Sequence, residues 1–416
     1  MNDRSRRRCR QLAAFLLTLC AMVFAALNIP AIEPDRYTCS APPSAQAQTL
    51  DSRPAASRAS IRYARGFALE YHDNHKQIQV LSPWRDARTT FTYILVPRGQ
   101  KVPSVPPHAM VVETPVRRMA AATTGCLPFL PMLHVEKTLA GLAGCKRVST
   151  PEIAEMIRQK QIAEIGIGDG GMSITLNMEQ LYVLQPDMVM VYGTGIPEYD
   201  LHPKLMEAGF KAVIFSSYME TSPLGRTEWI KFIAAFFDKE AEAERLFDEI
   251  ACRYEKQTAR VRNSVHRPTV FSAIPYRGLM YVPGGNSYFA GYMADAGADY
   301  VWRDDTTSGS MPLSMENVIE RAKEADFWLD PGVSRSLSEL NGMDERFSVF
   351  KAFRTGHVYN NDAKIGPDGG NDYWETGEVR PDLVLNDFIS IFHPDLLPLH
   401  ERIWYRRLPL NGEEGK

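Results

Sequence analysis

Short apolar runs set off by polar turns open the folded part of this chain, and a change of pattern further on divides it. Residues 67–71, 77–81 and 91–97 read as strands. His-Asp-Asn and Pro-Trp-Arg-Asp turns separate them, which predicts an antiparallel hairpin at the edge of a first lobe. From Ala109 the pattern becomes α/β. Short apolar runs at 111–112, 119–120, 139–142, 188–191 and 212–215 alternate with helical stretches at 127–133, from Pro151, around Glu179 and at 203–207. Pro151 suits a first helical turn, and Asn177 is placed to cap the helix that carries Glu179. Two helices follow, 226–237 and 239–262. The second puts Ala243, Leu246, Phe247, Ile250, Tyr254, Thr258 and Val261 on one face. At ~1.5 Å per residue it spans roughly 35 Å. Such a helix either crosses between two lobes as a strut or lies on the surface of one domain. Beyond Pro268, strands at 269–274, 278–282 and 327–329 alternate with helices at 288–296, after Ser314, at 337–340 and at 381–392.

One phrase occurs twice. SITLNMEQLYVLQPDMVMVYG begins at Ser173 and MPLSMENVIERAKEADFWLDPG at Met311. Each has a polar turn, Met-Glu opening an amphipathic helix, an Asp, then a short apolar strand. Glu179 and Glu316 stand 137 positions apart, the spacing of a lobe and not of a solenoid repeat. The boundaries that result are an N-terminal α/β lobe at 61–225, an interlobe helical segment at 226–265 and a C-terminal α/β lobe at 266–408.

The N-terminus changes the picture of where the protein resides. Arg4, Arg6, Arg7, Arg8 and Arg10 precede the sixteen apolar residues 12–27. Residues 1–30 therefore read as a signal peptide or N-terminal anchor. Ala45-Gln46-Ala47 and the zone 25–31 compete as cleavage sites, and lipidation at Cys20 or Cys39 is a third reading. Residues 31–60, rich in Ala, Ser, Pro and Gln, read as a disordered linker. All three readings place the folded part outside the inner membrane.

Composition narrows the partners. The 416 residues are 44% hydrophobic and 23% charged, with 50 acidic against 47 basic side chains, so nucleic acid is not the expected partner. Of six cysteines, Cys126 and Cys145 could close a disulfide across a short helix–loop segment, or remain two buried thiols. No CxxC pair exists, and the nine histidines show no metal-ligand spacing. P-loop, HExxH and GxSxG motifs are absent. The glycine-rich run from Gly166 lacks dinucleotide-binding spacing. Enzymatic signals are therefore weak, and neither a resident cofactor nor a protein metal site is expected.

In open α/β sheets, ligands bind beyond the carboxyl ends of the strands. Polar and aromatic residues cluster there in this chain: Thr123 and Thr124, Tyr192, Tyr218, then Tyr276 and Arg277. The loop 366–380, GPDGGNDYWETGEVR, adds Tyr373, Trp374 and Arg380 and reads as a ligand-facing wall. Arg226 and Trp229 open the first divider helix beside the expected cleft. Arg226, Arg277 and Arg380 suit a carboxylate or phosphate on a ligand, although each alone better suits a structural ion pair.

Residues 123–130 and 177–192, SYMETSPLGRTEWIKF from Ser217, YVPGGNSYFAGYMADAGADYVW from Tyr281 and the long run from Val358 to Leu396 carry a resemblance. The chain resembles the substrate-binding proteins of ABC importers, of the class that handles iron–siderophores, haem and cobalamin. The resemblance runs from about Arg65 to Leu408 and rests on the order and spacing of these segments. It implies the class III periplasmic binding protein fold: α/β, two Rossmann-like lobes joined by a long backbone helix. It implies a monomer that hands a metal chelate or tetrapyrrole, containing iron or cobalt, to a permease and its ATPase. In that class a Glu on each lobe engages basic residues of the permease, and by position these are Glu179 and Glu316. The rival readings are a chelatase-like or nitrogenase-like two-lobed enzyme and a binding or signalling module without transport.

Overall fold

The computed structural model describes residues 58–167, 175–366 and 368–411. The expected leader, its cleavage and lipidation sites, most of the linker and the end of the glycine-rich run lie outside these residues. The chain enters through four strands, β1 (Phe67–Tyr71), β2 (Lys76–Val80), β3 (Phe91–Pro97) and β4 (Met110–Thr114), ordered β1-β2-β3-β4. β1, β2 and β3 are antiparallel neighbours, while β3 and β4 run parallel with Leu95 opposite Val112. This corrects the expected edge hairpin. The strands form a sheet of their own, and the 111–112 segment belongs to it and not to the α/β layer. Four consecutive residues of β3, Tyr93–Val96, are buried, so β3 needs a partner on each side.

A buried lysine fastens this sheet to the helices. Lys76 donates to the Ala235 carbonyl at 2.6 Å, Asp238 at 2.7 Å and Glu240 at 2.6 Å. The chain just before β1 is held by another buried charge. Glu228 accepts backbone N–H bonds from Tyr63 at 2.6 Å and Ala64 at 2.8 Å, and from Lys231 at 2.9 Å.

The N-terminal lobe is built on β5 (Met119–Ala121), β6 (Leu139–Leu142) and β7 (Ala163–Glu164). A small antiparallel pair follows, β8 (Gly166–Ile167) with β9 (Thr175–Leu176), then β10 (Met188–Val191) and β11 (Ala212–Ile214). The main sheet has the order β11-β10-β5-β6-β7 and is parallel throughout. Its helices are α1 (Phe129–Met132), α2 (Pro151–Arg158), α3 (Met178–Leu184) and α4 (His202–Glu207). The Asn177 side chain caps α3 by accepting from Gln180 N at 3.1 Å.

The expected single helix at 226–237 is two pieces, α5 (Pro223–Thr227) and α6 (Trp229–Phe237). They meet at Glu228, where the Lys231 N–H bonds back only three residues and tightens the turn. α7 (Glu240–Val261) has 22 residues, about 33 Å of helix. Its first half is bonded to the chain before β1, through Ser60 N to Glu244 at 3.0 Å and Arg62 to Asp248. Its second half is bonded to the other lobe, through Arg253 to Asp382 at 2.7 Å and Tyr254 to Asp295 at 2.6 Å.

The C-terminal lobe contains β12 (Thr269–Ser272), β13 (Ile274–Tyr276), β14 (Leu279–Pro283), α8 (Tyr288–Asp295), β15 (Asp299–Tyr300) and β16 (Ser310–Leu313). It continues with α9 (Met315–Ala322), β17 (Phe327–Leu329), α10 (Leu337–Met343), α11 (Lys351–Arg354), β18 (Val358–Asn360), α12 (Pro381–Phe392) and β19 (Arg406–Arg407). Its main sheet, β15-β12-β17-β18-β19, is parallel except for β19. β13, β14 and β16 form a second, antiparallel sheet.

The Asp of each repeated phrase clamps the start of a neighbouring strand. Asp187 accepts from Arg117 N at 2.7 Å and Arg118 N at 3.1 Å, just before β5. Asp326 accepts from Thr269 N at 2.9 Å and its hydroxyl at 2.8 Å, where β12 begins.

Candidate functional site

The carboxyl ends of both parallel sheets carry the loops that the sequence singles out. In the N-terminal lobe, Thr123, Thr124 and Tyr192 are half-buried, and Tyr218 is 39% exposed. The Tyr218 hydroxyl donates to the Gly193 carbonyl at 2.6 Å and so ties the loop after β11 to the loop after β10. Burial, helped by the nearby Asp200 charge, pushes the Tyr218 hydroxyl up to about 12. In the C-terminal lobe, Tyr276 is 53% exposed, and the Arg277 guanidinium lies 5.1 Å from its ring centre. Trp374 is 45% exposed.

Two residues of this rim are absent from the sequence-derived set. Trp84, in the turn between β2 and β3, packs on the loop after β10. A Cβ at Gly193 would approach it to 2.6 Å, and one at Gly195, whose φ is +74°, to 2.5 Å. Arg85 reaches the other lobe and donates to the Ser308 carbonyl at 2.6 Å and the Ser310 carbonyl at 3.2 Å. A Trp-Arg pair in a turn was the available signal. Periodicity assigned it only to punctuation between strands.

Between the lobes the segment 371–380 acts as a strap. Glu375 accepts from Ser149 N at 3.0 Å, Thr150 N at 2.8 Å and the Thr150 hydroxyl at 2.6 Å, at the start of α2. Glu378 accepts from Arg226 at 2.9 Å and from the Ser217 hydroxyl. Burial pushes the Glu378 carboxyl up, against the pull of Arg226. The same guanidinium lies 4.1 Å from the Tyr288 ring centre. A cavity of ≈ 10 Å³, room for about one water, remains beside Arg226, Tyr373 and Glu378.

These contacts correct three expectations and decide between the two cysteine readings. Trp229 is fully buried, packs against Phe67 and Phe215, and donates to Glu220 at 2.8 Å, so it belongs to the N-terminal core and not to a cleft. Arg226 is consumed by the interlobe seam. Tyr373 is buried against Trp374 and Tyr405, so only Trp374 of that pair faces outward. Cys126 and Cys145 are free thiols. Each sits at its own strand end, Cys126 donating to the Thr123 carbonyl and Cys145 to the Leu142 carbonyl. Burial raises both thiols, Cys145 to about 12. Arg380 pairs with Asp382 at 3.0 Å and borders a cavity of ≈ 570 Å³ between the lobes, lined also by Pro128, Leu246, Ile250 and Trp404.

Glu179 and Glu316 both lie exposed in the first turns of α3 and α9. Glu316 accepts from Arg346 at 2.7 Å. Among the described residues, no helix is long and apolar enough to cross a membrane, and no group of three or more His, Cys, Asp or Glu side chains is placed to hold a metal ion.

Two α/β lobes and a helix bonded to both define a two-lobed α/β protein with polar and aromatic loops at its strand ends. The sequence model of the periplasmic binding protein family matches residues 138–365, more than half of the chain, and the chain belongs to that family. A Methanocaldococcus jannaschii protein described as an uncharacterized lipoprotein is 28% identical over 356 residues, covering 80% of this chain and 82% of its own length. The fold is similar to a possible iron-binding periplasmic solute-binding protein from Staphylococcus epidermidis (TM-score 0.53, 18% identity, 67% of this chain and 100% of that one). It is also similar to an ABC-type Fe3+-hydroxamate transport protein from Saccharomonospora viridis (TM-score 0.52, 16% identity, 67% and 94%). A periplasmic haem-binding protein from Pseudomonas aeruginosa aligns with TM-score 0.50 and 18% identity over 67% of this chain and 93% of its own.

Proposed function

We propose that this chain is the extracytoplasmic substrate-binding component of an ABC importer for an iron chelate, haem or a cobalamin-like ligand. The observation that carries this reading is the strand-end rim in a member of the periplasmic binding protein family. Tyr218, Tyr276 and Trp374 reach solvent from both lobes, with the cations Arg85 and Arg277 among them. Large aromatic faces and guanidinium groups suit a planar or chelated ligand that carries carboxylate or phosphate. Thr123, Thr124 and Tyr192, half-buried at the strand ends of the N-terminal lobe, complete the proposed site. The similar proteins named for iron, Fe3+-hydroxamate and haem support the same ligand class.

In this reading the protein acts as a monomer, held outside the membrane by its N-terminal segment. Glu179 and Glu316 orient it on a permease and its ATPase. The test is absorbance titration with native mass spectrometry against a ferric hydroxamate, haemin and cobalamin. One of them binds with Kd below about 10 μM, and Tyr276→Ala weakens it about tenfold. Absence of binding by all three overturns the ligand class.

A further inference from the structure

The two phrase helices present different faces. From Glu179, the positions three and four residues on are Tyr182 and Val183. All three share one side of α3. Tyr182 is 56% exposed and Val183 76%. From Glu316, the same positions on α9 are Ile319, half-buried, and Glu320, exposed. The Tyr182 ring is fixed in place. Its centre lies 4.9 Å from that of Phe210, and its hydroxyl donates to the Ala208 carbonyl at 3.1 Å. Glu179 has no ion pair among the described residues. Glu316 is held by Arg346, which also grips Asp344 at 2.7 Å.

A rigid, exposed aromatic beside an aliphatic side chain and an unpaired carboxylate has the composition of an interface hot spot. An exposed carboxylate that already has an intramolecular partner contributes orientation and little else. We propose that Glu179, Tyr182, Val183 and Phe210 form the primary docking face of this protein, and that Glu316 is a secondary, charge-only contact. The partner surface is an apolar socket flanked by a basic residue, on the extracytoplasmic side of a membrane permease. The unpaired Glu179 calls for the basic residue, and Tyr182 with Val183 calls for the socket. This inference rests on the importer reading and adds an order of importance to its two contact points.

The test uses the full protein and its permease–ATPase complex in lipid nanodiscs, with docking followed at about 0.1 M and about 1 M salt. Tyr182→Ala with Val183→Ser weakens docking about tenfold or more at both salts, and Val183→Asp alone does the same. Glu316→Gln weakens it less than about threefold at low salt and not at all at high salt. Cargo affinity stays at the wild-type value in all three variants.

The inference is overturned if the double variant docks like wild type while Glu179 and Glu316 charge reversals abolish docking; the importer reading then stands. If wild type docks on no permease, both fall. If sedimentation shows a dimer that the double variant dissolves, the face belongs to a second copy of this chain and the inference also fails.

Discussion

Asp187 in the N-terminal lobe and Asp326 in the C-terminal lobe hold the same joint. Each sits just before a central strand of its own sheet, and each accepts from the backbone where the adjacent strand begins. Three positions differ between the copies. After the strand, the N-terminal copy places Tyr192, and the C-terminal copy places Asp330. On the helix, Tyr182 and Val183 face Ile319 and Glu320 across the comparison. Scaffold positions repeat because strand registration imposes the same demand in both lobes. The helix positions Tyr182 and Val183 are free to differ because they face solvent.

The seam between the lobes is the strongest place to break this symmetry. Its cation, Arg226, comes from the N-terminal side, and both carboxylates, Glu375 and Glu378, come from the C-terminal strap. Glu378→Ala leaves Arg226 buried without its charge partner. Removing one member of a buried pair costs about 3–5 kcal/mol. Chemical denaturation then shows that loss, and Arg226→Met combined with Glu378→Leu recovers most of it.

Asp330 gives a pH-dependent difference between the lobes. Its backbone is left-handed, with φ of +54°, and its carboxyl is buried against Tyr405, whose hydroxyl donates to it at 3.2 Å. Burial raises this carboxyl to about 7, opposed by Tyr405 and helped by Asp362. Between about pH 4 and pH 7 the folded state keeps a proton that the unfolded chain has released. Stability therefore falls as pH rises through that window. Asp330→Asn removes the fall and tolerates the left-handed backbone. The variant gains at most about 4 kcal/mol over wild type at pH 8 and nothing at pH 4, read from denaturant midpoints. Tyr192→Phe, at the matching N-terminal position, shows no such window, because burial raises that hydroxyl further from neutrality.

The two clamps test the similarity itself. Partial burial disfavours both carboxylates, but Arg98 and two backbone donors at Asp187, and Lys351 and Thr269 at Asp326, outweigh it and hold both below the ordinary range. Their contribution is present above about pH 4 and is lost on further acidification. Asp187→Ala and Asp326→Ala should each cost about 1–2 kcal/mol at pH 7, after allowing for solvent screening. Unequal losses would show that the shared phrase does not mark a shared joint.

The sequence made some of this legible. Local rules found the cap at Asn177, the α7 stripe and the fully apolar run of β10, because each is written in nearby residues. The repeated phrase picked out the paired glutamates, and the resemblance attached a permease role to them. What stayed hidden depends on distant partners. Trp229 reads like a helix-opening aromatic near a cleft until Phe67 and Phe215 close over it. Arg226 reads like a free cation until Glu378 arrives from a strap more than a hundred residues away. Trp84 and Arg85 look like turn residues until the folded chain sets one against Gly193 and the other across to Ser308.

The smallest effect concerns the paired glutamates and separates docking from stability. Its own backbone N–H and the Ser314 hydroxyl, with Arg346 beyond them, hold the Glu316 carboxyl below its ordinary range. Its side chain is nonetheless exposed, and Arg346 keeps Asp344 when Glu316 loses its charge. Glu316→Gln should therefore leave the melting temperature at pH 7 within about 1 °C of wild type, as should Glu179→Gln. A larger drop for Glu316→Gln alone would make that carboxylate part of the C-terminal scaffold, and the two copies of the phrase would then differ in structure and not only in what they present to a partner. Equal, negligible drops leave the outward faces of α3 and α9 as the place where the lobes have diverged.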